Sequence, residues 1–131
     1  MKMNAMAHYG LIAAAYVAEQ ADEGRVKAST ISAKYGIPIE YLIKILQQMV
    51  KADILLSKRG PTGGFILARP AKEITLLEII ESVDGPIASH LEMVEQTKKA
   101  PFSVKMEKVC ERATDKAASI LGRAKLSQMV G

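Results

Sequence analysis

Apolar residues recur along this chain with two different periods, and its elements begin and end where the period changes. From about Met3 to Gln20 the sequence is rich in alanine, and Met3, Ala7, Leu11, Ala14, Ala15 and Ala18 recur at helical spacing, which predicts a first helix with a core-facing stripe. Asp22-Glu23-Gly24 ends it. A short second helix is predicted over Ala28–Tyr35, anchored by Ile31 and stopped by Gly36. Ile37-Pro38 opens a third helix, proline being suited to a first turn whose backbone N–H has no helical partner. Within it Leu42, Ile45, Leu46 and Met49 follow the i, i+3, i+4, i+7 pattern and face the core. The other face carries Glu40, Tyr41, Ile43, Lys44, Gln47, Gln48 and Lys51. Two helices joined through a tight glycine turn, the second polar and cationic outside, form a helix-turn-helix layout.

The period then shortens. Ile54–Lys58 and Phe65–Arg69 are strand candidates on either side of Arg59-Gly60-Pro61-Thr62-Gly63-Gly64, a turn rich in glycine, which predicts a β-hairpin with a basic tip. Three helices followed by such a hairpin make a winged helix. Pro70 closes the hairpin, and Thr75 with Glu78 three residues on is a capping box opening a fourth helix from Leu76 to about Val83. Asp84-Gly85-Pro86 ends that helix, and residues 87–100 read as a loop or loosely helical connection. A final helix begins near Phe102. Phe102, Met106, Val109, Ala113, Ala117 and Ile120 recur three or four residues apart, one narrow apolar stripe on a highly charged helix. Gly122 is expected to interrupt it, leaving Leu126, Met129 and Val130 as a short apolar tail. The expected architecture is mainly α with a small β-hairpin: a winged helix-turn-helix domain over residues 1–86, then a linker and dimerisation helix over 87–131.

Composition narrows the class. The 131 residues are 49% apolar and 24% charged, an ordinary globular balance. No apolar run approaches the roughly 18 residues of a membrane span. Met1 to Met6 lacks the apolar stretch of a secretory signal. One cysteine, Cys110, excludes an internal disulfide framework and fits a reducing compartment, so the cytoplasm is expected. The net charge is +4, and all of it lies in the first half. Residues 1–70 hold Lys2, Arg25, Lys27, Lys34, Lys44, Lys51, Lys58, Arg59 and Arg69 against Glu19, Asp22, Glu23, Glu40 and Asp53, nine minus five, whereas residues 71–131 balance at nine each. A polyanion-binding surface is expected in that half.

One phrase carries a resemblance. Lys58-Arg59-Gly60-Pro61-Thr62-Gly63-Gly64-Phe65, followed by Leu67-Ala68-Arg69-Pro70 and Glu73-Ile74-Thr75-Leu76-Leu77-Glu78, resembles the wing and next helix of the Rrf-two family of bacterial regulators, the IscR, NsrR and CymR type. The match runs back through Ile37-Pro38, Tyr41-Leu42, Ile45-Leu46 and Lys51-Ala52 to Tyr9 and Met1-Lys2, covering about residues 1–86; beyond that it holds in outline. The resemblance implies a homodimeric, sequence-specific transcription regulator, read here as a repressor. It implies a pseudo-palindromic operator of double-stranded DNA, with the third helix in the major groove, the wing in the minor groove and the long last helix making the dimer. Some members hold an iron–sulfur cluster on three cysteines before that helix; here residues 87–104 contain none, and Cys110 falls inside the helix. No cofactor is therefore expected, although His90 with Glu92 or Glu95 is an alternative ligand set.

Candidate contacts follow from chemistry. Lys44 and Gln48 lie i, i+4 on the outer face of the third helix; lysine donates to guanine and glutamine reads adenine, while Lys51 adds charge for a phosphate. Ile43 suits a thymine methyl, Glu40 a cytosine amine or its own helix N-terminus, and Tyr41 a phosphate. At the tip, Arg59 suits a narrow, electronegative minor groove, with Lys58, Thr62 and the Gly63 backbone beside it, and His8 and Lys2 at the edge. The bland alternative for each is a solvated side chain. The residues show no catalytic constellation, and an enzyme is not expected. A winged helix serving only as a protein-interaction module is the alternative function, and such a module has no need of Arg59 at a glycine-rich tip. For sensing, three routes stay open: Cys110 as a redox switch near Lys108 and Arg112, a small-molecule effector, or a partner protein on the C-terminal segment. Cys110 as plain packing material stands beside the first.

Overall fold

A computed structural model of the chain describes residues 3–87 and 91–131. The first helix, α1 (Ala5–Glu19), starts where the Asn4 side chain accepts hydrogen bonds from the Met6 and Ala7 N–H groups at 2.8 and 3.1 Å. Its buried stripe is Ala7, Gly10, Ala13, Ala14 and Val17, rotated from the predicted one: Met3 is exposed, and Leu11, Ala15 and Ala18 are only half-buried. The helix is apolar on most sides, so period alone does not choose a face. Gly10 does. A Cβ there would stand 3.0 Å from Val83 Cγ2 and 3.5 Å from Ile45 Cγ2, so its absence admits two neighbouring helices to the α1 backbone.

Those neighbours are α3 (Ile39–Lys51) and α4 (Leu76–Asp84). Between α1 and α3 lies α2 (Ala28–Tyr35), which buries Ile31 and ends on Gly36 in the left-handed conformation, φ 66°, whose N–H donates to Ser32 O. The Ser32 hydroxyl then donates to Ile37 O at 2.6 Å and fixes the turn into α3. Pro38 stands at the cap of α3, one residue ahead of its first turn, and its carbonyl accepts from Leu42 N–H. Leu42, Ile45, Leu46 and Met49 are fully buried as their spacing requires.

The hairpin consists of β1 (Leu55–Lys58) and β2 (Gly64–Leu67), antiparallel, with Leu55 opposite Leu67 and Lys58 opposite Gly64. Each strand is shorter than predicted. Ile54 turns its N–H back to Met49 O, although its carbonyl still accepts from Ala68 N–H across the hairpin, and the Arg69 side chain is engaged by other partners. The Arg69 guanidinium donates to Asp53 O at 3.1 Å, to Glu73 O at 2.9 Å and to the Glu78 carboxylate at 3.3 Å. Glu78 also closes the predicted capping box with Thr75, so one arginine ties the hairpin base to the start of α4.

The C-terminal half departs furthest from expectation. Among the described residues of the 87–100 segment is one helical turn, α5 (Met93–Gln96), closed by Lys98 and Lys99 at φ 54° and 65°. Helix α6 (Pro101–Arg123) begins with proline in its first turn and runs through Gly122 without a break. The predicted interruption does not occur: Gly122 keeps helical backbone inside α6 and faces Leu77 of α4, whose Cδ2 a Cβ would meet at an ordinary contact distance of 3.5 Å. The apolar tail is a further turn, α7 (Leu126–Met129), and Leu126 is fully buried in the same core as α1 and α3. Leu126 N–H donates to Ile74 O at 2.8 Å and Leu76 N–H to Ala124 O at 3.0 Å, stitching the chain end beside the start of α4. The last residues thus return to the first unit and hold the C-terminal end of α6 against it.

Candidate nucleic-acid interface

The outer face of α3 is built by subtraction. Four apolar side chains on one side are sealed in the core, so Glu40, Tyr41, Ile43, Lys44, Gln47, Gln48 and Lys51 all stand exposed on the other. Tyr41 and Ile43 are large apolar groups left 52% and 43% exposed among the described residues. Lys44, Gln48 and Lys51 share their face, and no carboxylate pairs with either lysine: among the described residues the one ion pair is Arg69–Glu78. That pair removes Arg69 from the surface charge counted in the sequence.

The hairpin tip adds a second cationic element. Lys58, Arg59, Pro61 and Thr62 are exposed. The tip is shaped by backbone crowding: Gly63 is buried, its N–H donates to Gly60 O at 2.9 Å, and a Cβ on it would lie 2.1 Å from Lys58 O. Gly60 and Gly64 take φ of 99° and 128°, which favour glycine. Gly63 therefore contributes the shape that carries Arg59. Gly63→Ala is expected to lower stability by roughly 1–3 kcal/mol through overpacking and to disorder the tip, measured by denaturant unfolding and by tip amide signals in NMR.

A third strand segment was not predicted. Val26 pairs with Phe65 in both directions, Val26 N–H to Phe65 O at 2.9 Å and Phe65 N–H to Val26 O at 2.7 Å. The sequence signal is faint: one buried valine between two exposed cations, Arg25 and Lys27. Lys34 is engaged elsewhere, its ammonium 5.1 Å from the Tyr16 ring centroid and 5.8 Å from that of Tyr35. His8 is exposed on α1, and Lys2 lies outside the described residues.

On α6 the predicted pairing stripe is open. Phe102, Met106, Val109 and Ile120 are 61%, 50%, 62% and 57% exposed, Ala113 is exposed and Ala117 half-buried. The inward side is occupied: Ser103 is fully buried with its hydroxyl 2.7 Å from that of Thr97, and the Glu107 carboxylate accepts from Val94 N–H at 3.0 Å. Cys110 is half-buried next to Val109.

Three helices with an exposed polar face on the third, followed by a glycine-shaped hairpin, define a winged helix-turn-helix protein. The chain belongs to the Rrf2 family, described as iron-dependent transcriptional regulators, whose family model matches residues 3–131. That is a family of regulators, not of enzymes. It is 37% identical over 89 residues to a protein of Mycobacterium tuberculosis described as an HTH-type transcriptional regulator, a match covering 68% of this chain and 55% of that one. To the HTH-type transcriptional regulator IscR of Photorhabdus laumondii it is 34% identical over 87 residues, 66% of this chain and 53% of that one. The matches span little more than half the length of these relatives. Among solved structures, CymR, the global cysteine regulator of B. subtilis, shares the fold with a TM-score of 0.78 at 24% identity, covering 98% of this chain and 95% of that one. T. potens IscR superposes with a TM-score of 0.74 at 25% identity, covering 98% and 85%.

The family description raises iron, and the donors described here do not fit it. The chain has one thiol, on α6 beside the apolar stripe, and among the described residues no three His, Cys, Asp or Glu side chains converge on a metal-sized site. His90, the histidine of the alternative ligand set, lies outside the described residues. Among the described residues no helix is long and apolar enough to cross a membrane.

Proposed function

We propose that this chain is a cytoplasmic, sequence-specific DNA-binding regulator that acts as a homodimer on a pseudo-palindromic operator and represses by occupying it. The observation that carries this reading is the pairing of two exposed cationic elements on one small unit, the outer face of α3 and the glycine-shaped tip with Arg59. In this reading α3 enters the major groove with Lys44 and Gln48 toward base edges, and Ile43 packs on a thymine methyl. Glu40 accepts from a cytosine amine, and Tyr41 and Lys51 meet phosphates. The wing places Arg59 in the minor groove, with Lys58 and Thr62 on the flanking phosphates. The α6 stripe is the dimer seam, and two copies joined there present two reading heads to two half-sites. Cys110 is packing material at the edge of that seam, and sensing needs no bound cofactor.

Selection of bound sequences from random duplexes, followed by titration of the selected site, tests the proposal. Arg59→Ala is expected to weaken specific binding by roughly 1–3 kcal/mol with the fold and dimer intact. Unchanged affinity in that variant would remove Arg59 from the interface. Failure of the wild-type dimer to enrich any sequence would favour a winged helix that binds only proteins.

A further inference from the structure

We infer that Arg25 and Lys27 form a second phosphate-binding edge, so that the wing grips the sugar–phosphate backbone with three strand segments; the inference rests on the DNA-binding reading above. Val26 is buried and doubly hydrogen-bonded to Phe65, which clamps this short segment alongside β2. Its two neighbours in extended chain therefore point outward, and both are exposed. Continuing the antiparallel register from the Val26–Phe65 pair sets Lys27 level with Gly64, whose partner on β1 is Lys58. Arg25 reaches the same place from one step back: its Nη1 lies 3.5 Å from Gly64 O.

Gly64 is what lets these cations assemble. It takes φ 128°, and a Cβ on it would stand 2.6 Å from Val26 O and 3.2 Å from Arg25 Cβ, so any side chain would push the Arg25–Lys27 segment off the hairpin. With none, Arg25 lies over the strand between the hairpin and solvent. At 3.5 Å its hydrogen bond to Gly64 O is at the long limit, and a guanidinium has five donors, so most of its hydrogen-bonding capacity faces outward. The result is a row of four cations across the wing, Arg25 and Lys27 on the added segment, Lys58 and Arg59 at the tip. Asp22 and Glu23 lie just before, in the turn ahead of Gly24, and neither pairs with Arg25 or Lys27. Unneutralised cations on adjacent strands are held together at an electrostatic cost that a polyanion removes. A regularly charged phosphodiester chain has the spacing and sign to do so.

The consequence is a contact that adds affinity without reading sequence. The test compares wild type, Arg25→Ala/Lys27→Ala and Arg25→Lys on the selected operator and on an unrelated duplex, from low to moderate salt. The double variant is expected to bind both duplexes several-fold more weakly, by the same factor, with the slope of log K against log salt reduced by about 2, roughly one per lost phosphate contact. Arg25→Lys keeps the charge and is expected to keep the slope. A double variant that matches wild type in affinity and slope, while wild type binds DNA, overturns this inference and leaves the DNA-binding reading standing. Loss confined to the operator, not rescued by Arg25→Lys, also overturns it, because Arg25 then acts only by positioning the tip through Gly64. Wild-type protein that binds no duplex at low salt sinks both readings together.

Discussion

Replacing Met106 and Val109 together by glutamate is expected to leave the chain monomeric and to weaken binding to a two-half-site operator by at least ~100-fold, because roughly 2.8 kcal/mol or more of coupling between half-sites is lost. Both side chains stand at least half exposed on α6, one turn apart, in the middle of a stripe that runs from Phe102 to Ile120. The opposite side of the helix is already sealed, by Thr97 and Glu107 toward α5 and by Gly122 against Leu77 of α4. The stripe is thus surplus to the core of one copy. Four large exposed apolar groups in line on one helix are what a paired helix would cover. Two glutamates facing their symmetry mates would have to be desolvated unpaired, and the dimer would not form. Sedimentation equilibrium and operator titration measure this. Helix content by circular dichroism is expected to hold, since neither residue contributes to the core; a variant that remains dimeric would place the seam elsewhere.

The second large effect is on stability. Leu126→Ala is expected to cost about 2–5 kcal/mol in urea unfolding, the range for a leucine removed from a closed core. Leu126 is 1% exposed, packs in the cluster that contains Val17, Leu42 and Leu46, and sits where its backbone is pinned to Ile74. Losing it leaves a cavity and frees the C-terminal end of α6, so amide exchange along Ala117–Arg123 is expected to rise as well. Met129→Ala, three residues on and 55% exposed, is the control and is expected to change stability by no more than about 0.5 kcal/mol. Equal costs at the two positions would mean that the tail is not part of the core.

How far each element was readable depends on the contrast of its pattern. Helix α3 mixes isoleucine and leucine with glutamate, lysine and glutamine at helical spacing, and its buried and exposed faces follow directly. Helix α1 is apolar on most sides, offers little contrast and hence gave a stripe of which only Ala7 and Ala14 are buried. The exposed apolar stripe of α6 was legible because charge surrounds it on both sides. Gly122 misled because a glycine that breaks a helix and one that a helix simply carries look alike in sequence; here α6 continues through it, packed beside α4.

Local chemistry alone determined the caps and turns: Thr75 with Glu78, Gly36 after α2, the glycines of the hairpin tip and the polar face of α3. Each depends on atoms within a few residues, so a short stretch of chain contains its own reason. Contacts between distant residues decided the rest. Val26 joined the hairpin because Gly64 made room for it, Arg69 folded back to tie Asp53, Glu73 and Glu78 together, and Leu126 closed a core begun by α1. Burial and hydrogen bonding between such distant positions are set by packing in three dimensions, which no local period encodes.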